Sequence, residues 1–127
     1  MISQKSQYLR NKLVEHALGL TTYTKPTNVY LALMLTDPTI DNTGTEVSGG
    51  SYARQQLSLA AASDGRCATN AAVTFSSLPA STIAYYAIYD ASTNGNLLYF
   101  GRFEQPIVRT AGQSLVFASG NIAISEA

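Results

Sequence analysis

The stretch Val-Tyr-Leu-Ala-Leu-Met-Leu, residues 29–35, is the longest apolar run in the chain and decides its fold class. Seven apolar residues in succession, short and without polar interruption, are typical of a strand that is buried on both faces or nearly so. Pro26 and Pro38 lie on either side of the run and limit its length, because proline cannot donate to a ladder of hydrogen bonds. The run therefore predicts an interior strand of a β-sheet.

Other segments of the chain show partial alternation and enrichment in Tyr, Phe, Val or Ile, which is typical of strands. They are Ser51–Leu59, Ala71–Phe75, Thr82–Asp90, Asn96–Phe103, Gln113–Ala118 and Asn121–Ser125.

Two dipeptides predict which of these strands pair. Both residues of Asn94-Gly95 tolerate positive φ angles, so they favour a type I′ hairpin turn between the strand that ends near Asp90 and the strand that begins near Asn96. Ser119-Gly120 predicts a similar hairpin between the last two strands.

Ser3–Leu18 is the one convincing helix of the sequence. Leu9 and Leu13 belong to an apolar stripe with helical spacing, and Gly19 is placed to end the helix. Either the first residue of the segment or Ser6 is the N-cap. We expect the stripe either to cover an open end of the β-structure or to dock on a neighbouring subunit.

The chain length of 127 residues fits one domain, with the helix at about residues 3–18 and the β-structure at about residues 28–125. About seven short strands preceded by one helix predict a mainly β fold. We expect an antiparallel β-sandwich, jelly-roll-like in its connections.

Charged residues make up only 13% of the chain, about half of the roughly 25% that is usual in soluble domains. Lys plus Arg and Asp plus Glu both number 8, so the formal net charge is zero and no basic footprint for nucleic acid is present. A surface so poor in charge is better suited to contact with other subunits than to full exposure to water on an isolated monomer. We therefore expect a homo-oligomer, with a trimer as the working guess.

The sequence also argues against a membrane partner and against an internal disulfide. No apolar stretch is long enough for a signal peptide or a membrane span. Cys67 is the only cysteine, which agrees with folding in a reducing cytoplasm.

Residues that commonly carry chemistry are few. His16 is the only histidine and has no nucleophile motif beside it, and Cys67 next to Arg66 is better explained as a half-buried strand residue than as a reactive thiolate. No G-x-S-x-G elbow, phosphate-binding glycine loop or metal-ligand spacing of Cys and His occurs. The sequence predicts a protein that is not an enzyme and needs no cofactor.

The segment Asp37–Gly50 is longer than an ordinary connection and is rich in Thr, Asp, Asn and Gly. Ordering such a segment costs about 1–2 kcal/mol of backbone entropy per residue, which some contact must offset. We therefore expect it to form an intersubunit contact.

The carboxylates of that segment also need a test for calcium binding. Asp37, Asp41 and Glu46 offer oxygen ligands at short spacing, but Asn42 stands where an EF-hand has glycine and Ser48 where it has its bidentate glutamate. Turn formation by Asp and Asn is the better explanation, so we expect no metal site.

Several segments together resemble a family of small virion proteins of tailed bacteriophages, labelled tail-fibre-like or capsid-accessory proteins. The segments are ALGLTTY at 17–23, VYLAL at 29–33, TDP at 36–38, GTEVSGGSYARQ at 44–55, IYDA at 88–91 and GNLLYFG at 95–101. The resemblance covers nearly the whole chain and implies a structural virion protein, made in the host cytoplasm and without catalytic residues.

Within that class, a cement or decoration protein that clamps copies of the major capsid protein is the leading expectation. A tail-fibre or baseplate subunit, in contact with other tail proteins, is the runner-up. Modest contacts repeated over many identical partners would suffice for either role.

The segment of the resemblance that suggests a contact surface contains Glu46, Gly49, Gly50, Tyr52 and Arg54. A polar, glycine-rich loop that runs into a strand can present backbone groups to a neighbour. Equally, the two glycines can make a tight entry to the strand while the arginine pairs with a local carboxylate.

A binding module of another class is the remaining alternative. β-Sandwiches can bind carbohydrate in shallow sites where tyrosines stack on sugars. This hypothesis requires Tyr85, Tyr86 and Tyr99 to be exposed together.

Overall fold

The computed structural model describes residues 3–125 and is mainly β, as the sequence predicts. Its elements are β1 (Ser3–Lys5), α1 (Gln7–Ala17), β2 (Tyr30–Met34), β3 (Gln55–Gln56), β4 (Arg66–Ala68), β5 (Val73–Phe75), β6 (Ser81–Tyr89), β7 (Leu97–Arg109), β8 (Leu115–Phe117) and β9 (Ala123–Ser125).

The main sheet has five antiparallel strands in the order β1-β7-β6-β2-β3. Strand β2 lies inside this sheet, and all of its residues after Tyr30 are buried. The prediction of an interior strand buried on both faces is therefore confirmed.

The first face of the main sheet packs against two small sheets, β4–β9 and β5–β8. Aromatic rings join the layers: Tyr86 of β6 lies 5.5 Å from Phe103, and Phe103 lies 5.7 Å from Phe117 of β8, measured between ring centroids. Leu31 and Leu33 of β2 belong to the same core. Sheets thus enclose the main core on both sides, as in a sandwich.

The second face of the main sheet has a smaller apolar cluster that includes Ala32, Met34, Ala87 and Phe100. Ile40, from the loop after β2, packs against it. This loop therefore covers part of the sheet instead of extending freely into solvent.

The helix begins later than predicted, because Ser3–Lys5 forms β1 and pairs with β7 instead. Ser6 is the N-cap: its hydroxyl accepts from the Leu9 N–H at 3.1 Å. The same hydroxyl donates to the Leu97 carbonyl, and the Ser6 N–H donates to the Leu98 carbonyl at 2.9 Å. The cap thus anchors the helix to the start of β7.

The helix ends as predicted. The Gly19 N–H donates to His16 O at 3.2 Å and the Leu20 N–H donates to Glu15 O at 2.8 Å, which is the Schellman pattern. Gly19 has the positive φ of +76° that this pattern requires.

The hairpin between β6 and β7 is confirmed, but its turn is longer than the predicted type I′ turn. The Asp90 N–H donates to Asn96 O at 3.2 Å, so residues 91–95 form the loop. Asn94 and Gly95 both have positive φ, at 53° and 77°. A Cβ at Gly95 would approach Asp90 Oδ1 to 2.7 Å, and so glycine is required there.

The hairpin predicted at Ser119-Gly120 is wrong. Strand β8 pairs with β5, and β9 pairs with β4, so the chain crosses from one small sheet to the other at this turn. Thr69 holds the turn, because its carbonyl and its hydroxyl both accept from the Gly120 N–H, at 2.8 and 3.1 Å. Pairing with earlier strands lets Phe117 and Ile122 both face the main core.

Strand boundaries differ elsewhere too. The predicted strand Ser51–Leu59 is reduced to β3, whereas β7 continues beyond Phe103 to Arg109. Strand β4 was not among the predicted strand segments, although Cys67 within it was expected to be a strand residue. Asp64-Gly65 before it forms a tight turn in which Ser63 and Arg66 exchange backbone hydrogen bonds of 2.9 and 3.0 Å.

Truncation of the helix stripe tests how much it contributes to stability. Leu9 is 3% exposed, so Leu9→Ala should lower the free energy of unfolding by about 2–5 kcal/mol in urea denaturation. Leu13 is only half-buried, and its truncation should cost less. The control is Arg10→Ala, at an exposed position of the same helix, which should change stability by about 0.5 kcal/mol or less. Equal effects of the Leu9 and Arg10 variants would contradict this packing role.

Candidate functional site

The structure brings together Glu46, Tyr52 and Arg54 of the predicted contact segment, and Tyr89 of β6 joins them. We call these four residues the Arg54 cluster. Arg54 binds Glu46 with two hydrogen bonds, Nε to Oε2 at 3.0 Å and Nη2 to Oε1 at 2.9 Å. The Arg54 guanidinium carbon also lies 3.8 Å from the centre of the Tyr89 ring, within cation–π distance.

Arg54 also closes the β6–β7 hairpin loop onto this segment. Its Nη1 donates to the carbonyl oxygens of Ala91 at 3.0 Å and Asn94 at 2.7 Å. The Arg54 side chain is 9% exposed and that of Glu46 is 26% exposed. Such a fork of donors satisfies a carboxylate and two carbonyls at once, which a lysine could not do.

Tyr52 links the cluster to the main sheet. Its hydroxyl donates to Glu46 Oε2 at 2.5 Å and accepts from the Leu33 N–H at 3.1 Å, and its ring stacks on Phe75 at 5.9 Å. Burial raises the pKa of Tyr52 above its ordinary value of 10.0, and the hydrogen bond to Glu46 raises it further. The stability that follows from this shift is complete below the ordinary pKa and is lost as the pH rises toward the folded pKa.

Backbone pairing places Glu46 where Arg54 can reach it. The Leu35 N–H donates to Thr45 O at 2.8 Å, and the Val47 N–H donates to Leu33 O at 2.9 Å. Residues 45–47 thus extend the sheet beside the end of β2, with Glu46 opposite Met34.

The two glycines make the tight entry that the sequence allowed. Gly50 has a φ of +55°, and a Cβ there would approach the Ser77 carbonyl oxygen to 2.6 Å. The next residue, Ser51, donates its N–H to that same carbonyl at 2.9 Å. Gly49, with a φ of +109°, precedes this contact.

The two aspartates of the long segment make no side-chain hydrogen bond to the Arg54 cluster among the bonds of the described residues. Asp37 Oδ1 accepts from the Thr39 N–H at 2.9 Å, a local turn, and Asp41 is exposed. Within residues 3–125, no three His, Cys, Asp or Glu side chains gather closely enough to hold a metal ion. Contacts within the chain order much of this segment, so its predicted intersubunit contact stays a prediction.

Three of the five large apolar side chains that are exposed in the described residues lie near the end of α1, the helix whose apolar stripe we expected either to cover the β-structure or to dock on a neighbour; the other two lie in β7 and β8. Val14, Leu18 and Leu20 are 52%, 71% and 73% exposed. We call these three residues the helix-end patch. Leu9, which we expected as a contact, is instead buried in its own fold, and Leu13 is half-buried. The signal in the sequence was the apolar Leu18 and Leu20 on either side of the terminating glycine.

The residues considered for chemistry have ordinary surroundings. His16 Nδ1 accepts from the Tyr23 N–H at 3.1 Å, which ties the chain after α1 back to the helix. Cys67 is a free, half-buried thiol in β4, as expected for a strand residue. Among the described residues, no helix is both long enough and apolar enough to cross a membrane.

The three tyrosines of the carbohydrate hypothesis do not form an exposed platform. Tyr86 is fully buried in the main core, and Tyr99 is half-buried against that core. Tyr85 packs at the other face of the sheet. Adjacent strand residues point to opposite faces, so Tyr85 and Tyr86 cannot stack on one sugar.

Residues 4–125 match the model of the family described as podophage GP4 fiber I protein gp80. The chain belongs to this family. Membership in the GP4 fiber I family confirms the resemblance to small virion proteins of tailed phages, and it identifies the chain as a structural component of a phage virion. No curated protein matches the chain.

The Arg54 cluster can be tested by a double-mutant cycle. Arg54→Met leaves the partly buried Glu46 without its cationic partner and should cost about 3 kcal/mol of unfolding free energy. Combined with Glu46→Gln it should cost less than the sum of the two single changes, by about 0.5–3 kcal/mol. Arg54→Lys should not restore stability, because lysine lacks the fork of donors.

The matched control is Arg66→Met, since Arg66 is exposed in β4 and should tolerate the change within about 0.5 kcal/mol. Equal unfolding midpoints for the Arg54 and Arg66 variants would show that the cluster contributes nothing to stability.

Proposed function

We propose that the chain is a fibre subunit of a podophage tail, built to pack against other copies and other tail proteins. The observation that carries the proposal is the family match, which extends over residues 4–125 and whose description names a fiber protein. A match of this length leaves little of the chain for a separate function.

The same observation favours the fibre over the cement or decoration role that the sequence made the leading expectation. Both roles are structural and place the protein in the virion, and they differ in the proteins that the subunit contacts. A cement protein would contact the major capsid protein, whereas the family description refers to a fiber. The cement role stays an alternative outcome of the test below.

A non-enzymatic role is part of the proposal. In the Arg54 cluster, Arg54 donates its hydrogen bonds to Glu46 and to two backbone carbonyls of the hairpin loop. An acid or base in catalysis needs a free site toward a substrate. The cluster is better suited to holding two loops together than to reacting.

Self-association is supported by the helix-end patch. Three large apolar side chains, more than half exposed and close in sequence, favour contact with another subunit over contact with water. The low charge of the chain supports the same conclusion, because few repulsive charges oppose packing between identical copies. A trimer stays the working guess for the oligomer. We expect neither nucleic acid nor a membrane as a partner.

The location on the virion tests the fibre role directly. In a map of the podophage particle at side-chain resolution, we expect density for this chain in a fibre on the tail, with the helix and the five-stranded sheet recognisable. Density on the head shell, between coat subunits, would contradict the fibre proposal and favour the cement role.

The oligomer is tested separately with a double variant, Leu18→Asp with Leu20→Asp. Sedimentation at micromolar concentration should show an oligomer for the unmodified protein and a smaller species for this variant, which should still have the circular dichroism spectrum of the folded chain. Val116→Asp, at a position 57% exposed on β8, is the control and should keep the oligomer. An unmodified protein that is monomeric and also fails to bind purified particles would contradict the proposal.

A further inference from the structure

A cleft of about 450 Å³, lined by polar and apolar side chains, opens on the second face of the main sheet. It lies beside residues 100–104 of β7, beyond residues 97 and 98, to which the helix cap is bonded. Its volume is within the range of about 300–1,000 Å³ that is common for small-molecule sites. The Arg54 cluster does not line this cleft, and neither does the helix-end patch.

Strand register places the side chains of this cleft side by side. Tyr85 of β6 lies opposite Arg102 of β7, and Gln4 of β1 lies opposite Phe100. Phe100 and Arg102 are two residues apart on one strand and therefore share a face. The half-buried Tyr85 thus lies next to an exposed guanidinium and close to a side-chain amide.

A further polar group of the cleft lies in a bulge of β7. Only Ala84 separates the paired residues Ile83 and Tyr85 of β6, whereas residues 103–106 separate their partners on β7. Phe103 packs in the main core, and Glu104 is exposed at the rim of the cleft, as strand alternation requires. Bulges of this kind re-aim side chains and occur often beside functional sites.

Asp37 completes the rim from the loop after β2. Its Oδ1 accepts from the Thr39 N–H at 2.9 Å, which holds the carboxylate in place and leaves Oδ2 for a ligand. The cleft thus combines one partly accessible aromatic ring with two carboxylates, an amide and a guanidinium. Planar groups of this kind can each bond two neighbouring hydroxyls, while an aromatic ring contacts an apolar C–H face.

We propose that this cleft binds a neutral saccharide, with the sugar ring against Tyr85 and its hydroxyls bonded by Asp37, Arg102 and Glu104. Two carboxylates against one guanidinium leave excess negative charge, which disfavours sugars that carry a carboxylate or a phosphate. The site shares only Tyr85 with the three-tyrosine platform that the fold excludes. It adds a ligand to the proposed fibre subunit, but binding is a property of the chain wherever it lies on the virion.

The test is a titration of the isotope-labelled full chain, followed by the backbone amide signals in NMR. The probes are glucose, galactose, mannose, rhamnose and N-acetylglucosamine, each raised to tens of millimolar. Binding should shift the amides of Gln4, Asp37, Tyr85, Arg102 and Glu104 and leave those around Arg54 unchanged. Tyr85→Ala should weaken the binding at least tenfold, whereas Asp64→Asn, which changes an exposed carboxylate on the β4 hairpin, should leave it unchanged.

The proposal would be overturned if none of these sugars shifted the amide signals of the cleft. It would also be overturned if a folded Tyr85→Ala variant bound the sugar as tightly as the unmodified chain. A lysine side-chain mimic, Nα-acetyl-lysine amide, serves as a competing probe. Shifts with this mimic alone would show that the cleft receives a basic side chain of a partner protein, and the saccharide assignment would be wrong. None of these outcomes depends on the location of the chain in the virion, so the fibre proposal is judged independently.

Discussion

The burial of β2 on both faces is the constraint on which the rest of the fold depends. Leu31 and Leu33 point to one face of the main sheet, and Ala32 and Met34 point to the other. A strand with no polar face cannot lie at a solvated surface, so both faces must be covered. The two small sheets cover the first face. Within residues 3–125, no third sheet packs on the second face, and the loop that carries Ile40 covers part of it instead.

That requirement explains why the long segment after β2 is ordered within its own chain. Its far end pairs with β2 through the Val47 N–H and the Leu33 carbonyl, and this pairing presents Glu46 to Arg54. Arg54 in turn bonds two carbonyls of the β6–β7 hairpin loop. One salt bridge therefore closes two loops at the same end of the sheet, and Tyr52 ties that pair to β2. The motif of glycines, tyrosine and arginine is explained by folding before any partner is considered.

Local signals predicted well what depends on local chemistry. The apolar run of β2, the helix with its terminating glycine and the hairpin at Asn94-Gly95 could all be predicted, because each is decided by neighbours in sequence. The partners of β8 and β9 could not be predicted. Their pairing with β5 and β4 depends on which arrangement places Phe117 and Ile122 in the core, and that is not decided by neighbours in sequence. The turn at Asp64-Gly65 had a recognisable local signal in its Asp-Gly dipeptide, and Cys67 after it was already expected to be a strand residue. Of the site, Glu46 and Arg54 could be named from sequence, but Tyr89 and the carbonyls of the hairpin loop could not.

The low charge of the chain has a further consequence once Glu46 and Arg54 are placed. Both are used inside the fold, so the surface is poorer in charge than the composition indicates. Such a surface has little electrostatic means to reject identical copies, so the proposed self-association would depend on shape and on apolar side chains for its specificity. The helix-end patch is well placed for this, because the helix is anchored through Ser6 at its first turn while its last turn is left to solvent. An apolar end held on a rigid helix loses little conformational entropy when it docks on a neighbour, and that favours assembly of many weak, identical contacts.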